Sequence, residues 1–225
     1  MDLVMIGTLI YMVNLSLSLI LATIIIDKLY ISKKFSKEKD FHFYNDLFSW
    51  EMFYFFIGIE NIIKIFSLFI SSNTEIANLF LRIRVLIFFF PFWTKIFHLE
   101  KVMDKITYKR HYFAGIIPLI MVLVLGFTSL SDIVIIIIFF FITFIPFLIF
   151  FIFYKNTGTS INETLLIIAG SFFIIFGYIF RPEILDGYVG VSETMELLIA
   201  LTNITAPISF IIGMLLIFSS YRKEL

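Results

Sequence analysis

The chain has 225 residues, of which 60% are hydrophobic and only 15% are charged, and it contains no cysteine. Its 17 basic and 17 acidic residues cancel, so no overall charge favours nucleic acid or another strongly charged partner. This composition, with a mean hydropathy of +1.03, is typical of an integral membrane protein and excludes disulfides, iron–sulfur clusters and thiolate zinc sites.

Seven segments are apolar for about the 20 residues that a helix needs to cross a bilayer. The first has a long apolar core and carries Asp2 where a signal peptide has a basic region, so we predict a membrane span there. The sequence therefore predicts an all-α integral membrane protein, with residues 1–225 forming a single seven-helix transmembrane domain. The predicted spans run over Leu3–Ile26, Phe48–Ile70, Ile76–His98, Tyr112–Leu130, Ile133–Tyr154, Thr164–Phe180 and Thr194–Ser219.

Basic residues concentrate in every second loop, and this asymmetry predicts the orientation because loops rich in Lys and Arg stay in the cytoplasm. The loops after the first, third and fifth spans and the tail are basic, whereas the opposite loops carry a single basic residue, Arg181. The N-terminus is therefore predicted outside and the C-terminus inside. Since the loops are short and the chain ends soon after Lys223, we expect no soluble catalytic or output domain.

The second span contains charged and polar residues in the stretch "FFIGIENIIKIF". Glu60 and Lys64 are four residues apart, which places them on nearly the same face of a helix, where they can pair. Asn61 lies beside them. One unpaired charge at the bilayer centre costs at least about 2.5 kcal/mol on insertion scales, so we predict that this face turns into the bundle.

The third span brings Arg82 and Arg84 to about the same depth, because the loop between the two spans is short and a helix rises about 1.5 Å per residue. Two positions apart, these arginines point in nearly opposite directions, so only one can face Glu60. The other is expected to extend to the outer interface or to meet Glu196, near the outer end of the seventh span.

Polar side chains of the first and seventh spans complete a predicted polar layer in the outer half of the bundle. They are Asn14, Thr202, Asn203 and Thr205. Two interpretations stay open. The layer either joins helices through hydrogen bonds and ion pairs, or it forms a ligand or ion site that opens to the outer side.

The predicted cytoplasmic side carries a basic stripe beyond the third span, formed by Lys101, Lys105, Lys109 and Arg110. Contact with anionic lipid headgroups and contact with a soluble partner both remain open for it. The first loop interleaves lysines with aromatic residues, a pattern that beside a membrane favours interfacial anchoring over nucleic-acid binding. The expected partners are thus membrane lipids and a cytoplasmic signalling protein.

Motifs for catalysis are missing from the sequence, which has no P-loop, GxSxG motif or dinucleotide fingerprint. Its histidines, His42, His98 and His111, fall near the predicted cytoplasmic boundary, but none lies in an HExxH pattern or beside clustered carboxylates. We expect no enzyme activity, no metal and no cofactor.

Four features of the chain resemble the seven-helix sensor region at the N-terminus of many prokaryotic histidine kinases. These are the acid Glu60 in helix two, "LFLRIRVL" at the start of helix three, "PFWTKIF" after it and "IIPLIMVLVLGFT" in helix four. In that family the region feeds a cytoplasmic kinase, which this chain is expected to lack.

The resemblance implies a stand-alone, receptor-like sensor that signals to a separate cytoplasmic partner. Two other functions stay open. One is a small transporter or channel that uses Glu60 as a proton or ion site, and the other is a structural membrane subunit.

Overall fold

The computed structural model describes residues 3–35, 46–69, 74–107, 112–126, 132–155, 161–181 and 193–221. Within these ranges the chain forms seven helical segments and no strand, which confirms the predicted all-α class. The helices are α1 (Leu3–Phe35), α2 (Asp46–Phe69), α3 (Thr74–Thr107), α4 (Phe113–Gly126), α5 (Asp132–Phe139, Phe140–Phe144 and Ile145–Lys155 in direct succession), α6 (Ile161–Ile179) and α7 (Glu193–Tyr221).

Three of these helices are long and apolar enough to cross a bilayer. The qualifying stretches are Met5–Tyr30 in α1, Ile161–Ile179 in α6 and Ala200–Ser220 in α7. Two shorter apolar stretches, Phe113–Leu125 and Val134–Ile149, lie in α4 and α5. This composition is that of a membrane protein.

The helices pack as a closed ring of neighbours. α1 packs against α2 and α7, α2 against α3, and α6 against α7, while α5 contacts both α3 and α6. α4 lies beside α3. The interior of the ring is therefore bounded by α1, α2, α3, α5, α6 and α7.

Aromatic rings of α3 fill much of this interior. The Phe92 ring lies 5.4 Å from that of Phe53 in α2 and 5.6 Å from that of Phe144 in α5, measured between ring centroids. Phe88 stacks on Tyr178 of α6 at 3.8 Å. Edge-to-face and offset-stacked rings of this kind add to the stabilisation from burial alone. Helix α3 is thus the element through which α2, α5 and α6 are joined.

Glycines allow α6 and α7 to touch backbone to backbone. A Cβ atom at Gly213 would lie 2.6 Å from the Gly170 carbonyl oxygen, and one at Gly170 would lie 2.7 Å from the Gly213 carbonyl oxygen. Near the other end of α6, a Cβ atom at Gly177 would lie 2.6 Å from the carbonyl oxygen of Ala206. Small residues at such crossings are typical of helix packing in membranes.

Helix α5 is interrupted by a π turn over Phe140–Phe144, in which the Ile145 N–H donates to the Phe140 carbonyl. Pro146 follows directly. Proline has no N–H, and its ring displaces the carbonyl four residues earlier, which here belongs to Ile142 inside the π turn. The wider turn relieves that clash. Pro146 therefore explains why the π turn lies at this point of α5.

Two hydrogen bonds from α3 hold the first turn of α4. The buried Glu100 carboxylate accepts from the Ala114 N–H at 2.5 Å, and Trp93 Nε1 donates to the Ala114 carbonyl at 2.7 Å. A carboxylate in this position satisfies a backbone N–H that has no partner within the helix, and it interacts favourably with the helix dipole. The structural role of Glu100 is therefore to cap the N-terminus of α4.

Candidate functional site

Glu60, wholly buried in α2, binds two arginines from different parts of the chain. Arg84 Nε of α3 donates to Glu60 Oε1 at 3.2 Å. Arg181, which follows the end of α6, donates Nη1 to Oε1 and Nη2 to Oε2, the second at 2.8 Å. This bidentate pairing is the strongest geometry available to a guanidinium and a carboxylate. We call Glu60, Arg84 and Arg181 the ion-pair cluster.

Of the two arginines in "LRIRV", Arg84 is the one that faces Glu60. It is 2% exposed, whereas Arg82 is partly exposed. The two positions differ by about 200° around the helix, which separates their surroundings. Glu196 lies in α7, but its side chain is outside the described part of the structure, so its predicted contact with an arginine remains a prediction.

Arg181 is predicted from the sequence to be a loop charge, and the structure places it inside the protein. Its Cζ atom lies 4.7 Å from the ring centroid of Tyr178, 4.9 Å from that of Phe210 and 5.4 Å from that of Tyr11. Aromatic faces stabilise a desolvated cation, and so do the carbonyls at the end of α6. A signal was present in the sequence, because Arg181 is the one basic residue of the predicted outer loops and directly follows the sixth span.

Lys64 shares the ring of Tyr11 with Arg181. Its Nζ atom lies 5.5 Å from that ring centroid, and the residue is 5% exposed. Helix α1 therefore contributes one aromatic ring to two buried cations. The i,i+4 pairing of Lys64 with Glu60 remains a prediction.

Two buried asparagines lie close to these residues in sequence, Asn14 three residues after Tyr11 in α1 and Asn61 directly after Glu60 in α2. Asn14 donates Nδ2 to the Pro207 carbonyl at 2.9 Å and so joins α1 to α7, while Asn61 donates Nδ2 to the Ile57 carbonyl of its own helix at 2.9 Å. Within the described residues, the Oδ1 atoms of both side chains have no hydrogen-bond partner. Each asparagine thus leaves one buried acceptor available.

The predicted polar residues of α7 separate into different environments. Thr202 is buried, and Asn203 is partly buried and donates to the Ala200 carbonyl at 3.3 Å. Thr205 is exposed, because it lies off the face that Thr202 and Ala206 present to the interior. The structure does not bring Thr205 to the cluster.

Helix α3 continues past the predicted end of its span at His98 and ends at Thr107. In this extension, Lys101 Nζ lies 3.8 Å from Asp104 Oδ2 and 5.9 Å from the Phe97 ring centroid. Lys105 lies in the same helix, but its side chain is not described, and Lys109 and Arg110 lie outside the described residues. The structure therefore describes the basic stripe only at Lys101.

A further buried cation, Lys95, lies between the cluster and this extension. Lys95 of α3 donates to Ser49 Oγ at 2.8 Å, and its Nζ atom lies 3.8 Å from the Trp50 ring centroid. Both partners belong to α2, so Lys95 ties α3 to α2 on the side where His98 is also buried. His42 and His111 lie outside the described residues, within which no group of three His, Asp or Glu residues is placed to hold a metal ion.

Comparison with family models, with curated proteins and with solved structures finds no match to this chain. The resemblance to the sensor regions of histidine kinases therefore remains a prediction.

Proposed function

We propose that this protein is a receptor-like membrane sensor with seven spans, its N-terminus outside, that signals to a separate cytoplasmic protein. The ion-pair cluster is its responsive element. The observation that supports the proposal is the continuity of α3, which carries Arg84 in the cluster and Lys101 in its extension.

Helix α3 is long enough to connect the two sides of a membrane. Its 34 residues correspond to about 50 Å, against about 30 Å of hydrocarbon. Arg84 and Lys101 lie about 25 Å apart along it at a rise of about 1.5 Å per residue. A shift of α3 that follows a change of partner at Arg84 would move Lys101 as well, and helix shifts of about 1–2 Å are an established form of switching.

The ion-pair cluster can adopt two arrangements, because two arginines pair with one carboxylate and either pairing can be weakened. Arg84 and Arg181 share one carboxylate, so a ligand that engages either arginine changes the balance of contacts around Glu60. Both oxygens of Glu60 already accept hydrogen bonds from guanidinium groups. They are therefore less available to bind the ion or proton of a transporter. This occupancy favours the sensor over the transport alternative.

Orientation is tested by labelling single cysteines, since the chain has none of its own. Ser36→Cys in the first predicted loop should react with a membrane-impermeant maleimide only after cells are permeabilised. Ser72→Cys in the second predicted loop should react in intact cells, because its loop is predicted to face outward. The reverse pattern would overturn the proposed orientation.

Signalling is tested by native purification followed by mass spectrometry of what co-elutes. We expect a soluble cytoplasmic protein that co-elutes with the wild type and is lost when Lys101→Glu and Lys105→Glu reverse the charge of the α3 extension. Lys28→Glu, at an exposed position in α1, is the matched control and should retain it. Solute flux into proteoliposomes would support the transporter instead, and a stoichiometric membrane partner alone would support the structural subunit.

A further inference from the structure

We infer that the ion-pair cluster binds the anionic group of its ligand, a carboxylate or a phosphate, at Arg181. This inference rests on the proposed sensor function and names the chemical class that the sensor detects. It is carried by the charge of the cluster and by one unused donor within it.

The cluster holds two guanidinium groups and one carboxylate, all buried. Lys64, which contacts the same Tyr11 ring as Arg181, adds a third positive group at this end of the bundle. Positive charges inside a membrane protein require counter-charges, because transfer of a charge out of water is costly. Within the ion-pair cluster itself, two guanidinium groups share one carboxylate.

Arg181 offers the donor that an anion needs. Nη1 and Nη2 are engaged by Glu60, while Nε has no hydrogen-bond partner among the described residues, although Arg181 is wholly buried. Buried N–H groups are rarely left unpaired in folded proteins, since each carries a desolvation penalty. An oxygen of a carboxylate or phosphate would satisfy this N–H and supply negative charge.

The surroundings of Arg181 distinguish it from the rest of the polar layer. The amide oxygens that lack a hydrogen bond among the described residues, Oδ1 of Asn14 and Oδ1 of Asn61, are acceptors, and they would repel the oxygens of an anion. Tyr11, Tyr178 and Phe210 around Arg181 exclude water and strengthen its attraction to a negative group. The anion is thus assigned to Arg181, and the asparagines are left to water.

The test uses the full chain in nanodiscs of zwitterionic phosphatidylcholine, with thermal unfolding followed by the fluorescence of Trp50 and Trp93. Sodium phosphate or sodium acetate is titrated at constant ionic strength. We expect a saturable rise of about 5–10 °C in the unfolding temperature at a hundredfold excess over the dissociation constant. A second arm uses discs that contain phosphatidylglycerol and no added anion, and a rise in that arm alone assigns the phosphate to a lipid headgroup.

Arg181→Lys keeps the positive charge but removes the planar donor, so it should abolish the rise in whichever arm shows it. Arg222→Lys, in the predicted cytoplasmic tail, is the matched control and should retain it. No rise in either arm, or an equal rise in Arg181→Lys, would overturn the anion site. In that case the charge is balanced from within the chain, and Glu196 is the acid to examine.

Equilibrium dialysis of radiolabelled phosphate and acetate against the wild type does not depend on a variant that folds. Binding of about one anion per chain in competition with unlabelled anion supports the site, whereas no binding in zwitterionic discs together with no rise in the phosphatidylglycerol arm contradicts it. Anion binding without a co-eluting cytoplasmic protein would support the anion site and contradict the sensor function. A co-eluting cytoplasmic protein without any anion effect would support the sensor function and contradict the anion site.

Discussion

Glu60→Gln is expected to lower the free energy of unfolding by about 3–5 kcal/mol, the range seen when one partner of a buried ion pair is removed. The neutral amide cannot balance Arg84 and Arg181, and it turns one of the two acceptor oxygens into a donor that faces a guanidinium. Reversible unfolding in mixed micelles, followed by tryptophan fluorescence, measures the loss.

Glu51→Gln is the matched control for this change, because Glu51 is a partly exposed acid of the same helix. Its effect should stay within about 1 kcal/mol, as for exposed charges in general. If the two variants lose the same free energy, the ion-pair cluster does not stabilise the bundle. If Glu60→Gln is as stable as the wild type, the buried pairing itself is wrong.

Gly213→Ala is expected to separate α6 from α7 and to cost about 1–3 kcal/mol, the usual range for overpacking. The new methyl group would lie 2.6 Å from a backbone carbonyl of the facing helix, which has no side-chain rotamer through which to yield. Gly170→Ala should have a similar effect. Because both changes force the same separation, the double variant should lose less than the sum of the two.

Gly115→Ala in α4 provides the control for these variants. A Cβ atom there meets no atom within 4 Å, so the only effect is the gain in helix propensity, about 0.5–1 kcal/mol in favour of the variant. Destabilisation by Gly115→Ala comparable to that by Gly213→Ala would show that the glycine contact is not the cause. The same micelle unfolding assay reports all four variants.

The approximate positions of the helices could be read from the apolar runs of the sequence, three of which lie in helices long and apolar enough to cross a bilayer. The length of an apolar run reflects the thickness of the hydrocarbon layer and not the full length of the helix. Hydropathy therefore did not show that α1 continues to Phe35 and α3 to Thr107. The sequence also did not show how each helix is rotated about its axis, and so which of its polar residues face the interior. Thr202 and Thr205 are equally polar, and only packing against neighbouring helices decides that the first is buried and the second exposed.

The candidate site could be predicted only within neighbouring helices. Glu60 and Arg84 are joined by the short connection between α2 and α3, so their depths could be compared. Arg181 is 121 positions from Glu60, and nothing in the local pattern of α6 indicates that its end returns to α2. Contacts of this kind depend on how the ring of helices closes, a property of the tertiary structure.

The π turn in α5 decides which phenylalanines face inward. A π turn accommodates one residue more than an α turn, so everything after it is rotated by about 100° relative to a regular helix of the same sequence. Phe147 and Phe151 come after the turn, yet both are buried, and Phe147 reaches Phe92 at 5.6 Å. The inward stripe of α5 is continuous in space but out of phase in sequence, and a one-residue deletion within the turn would restore the regular period while keeping this aromatic pair directed at α3.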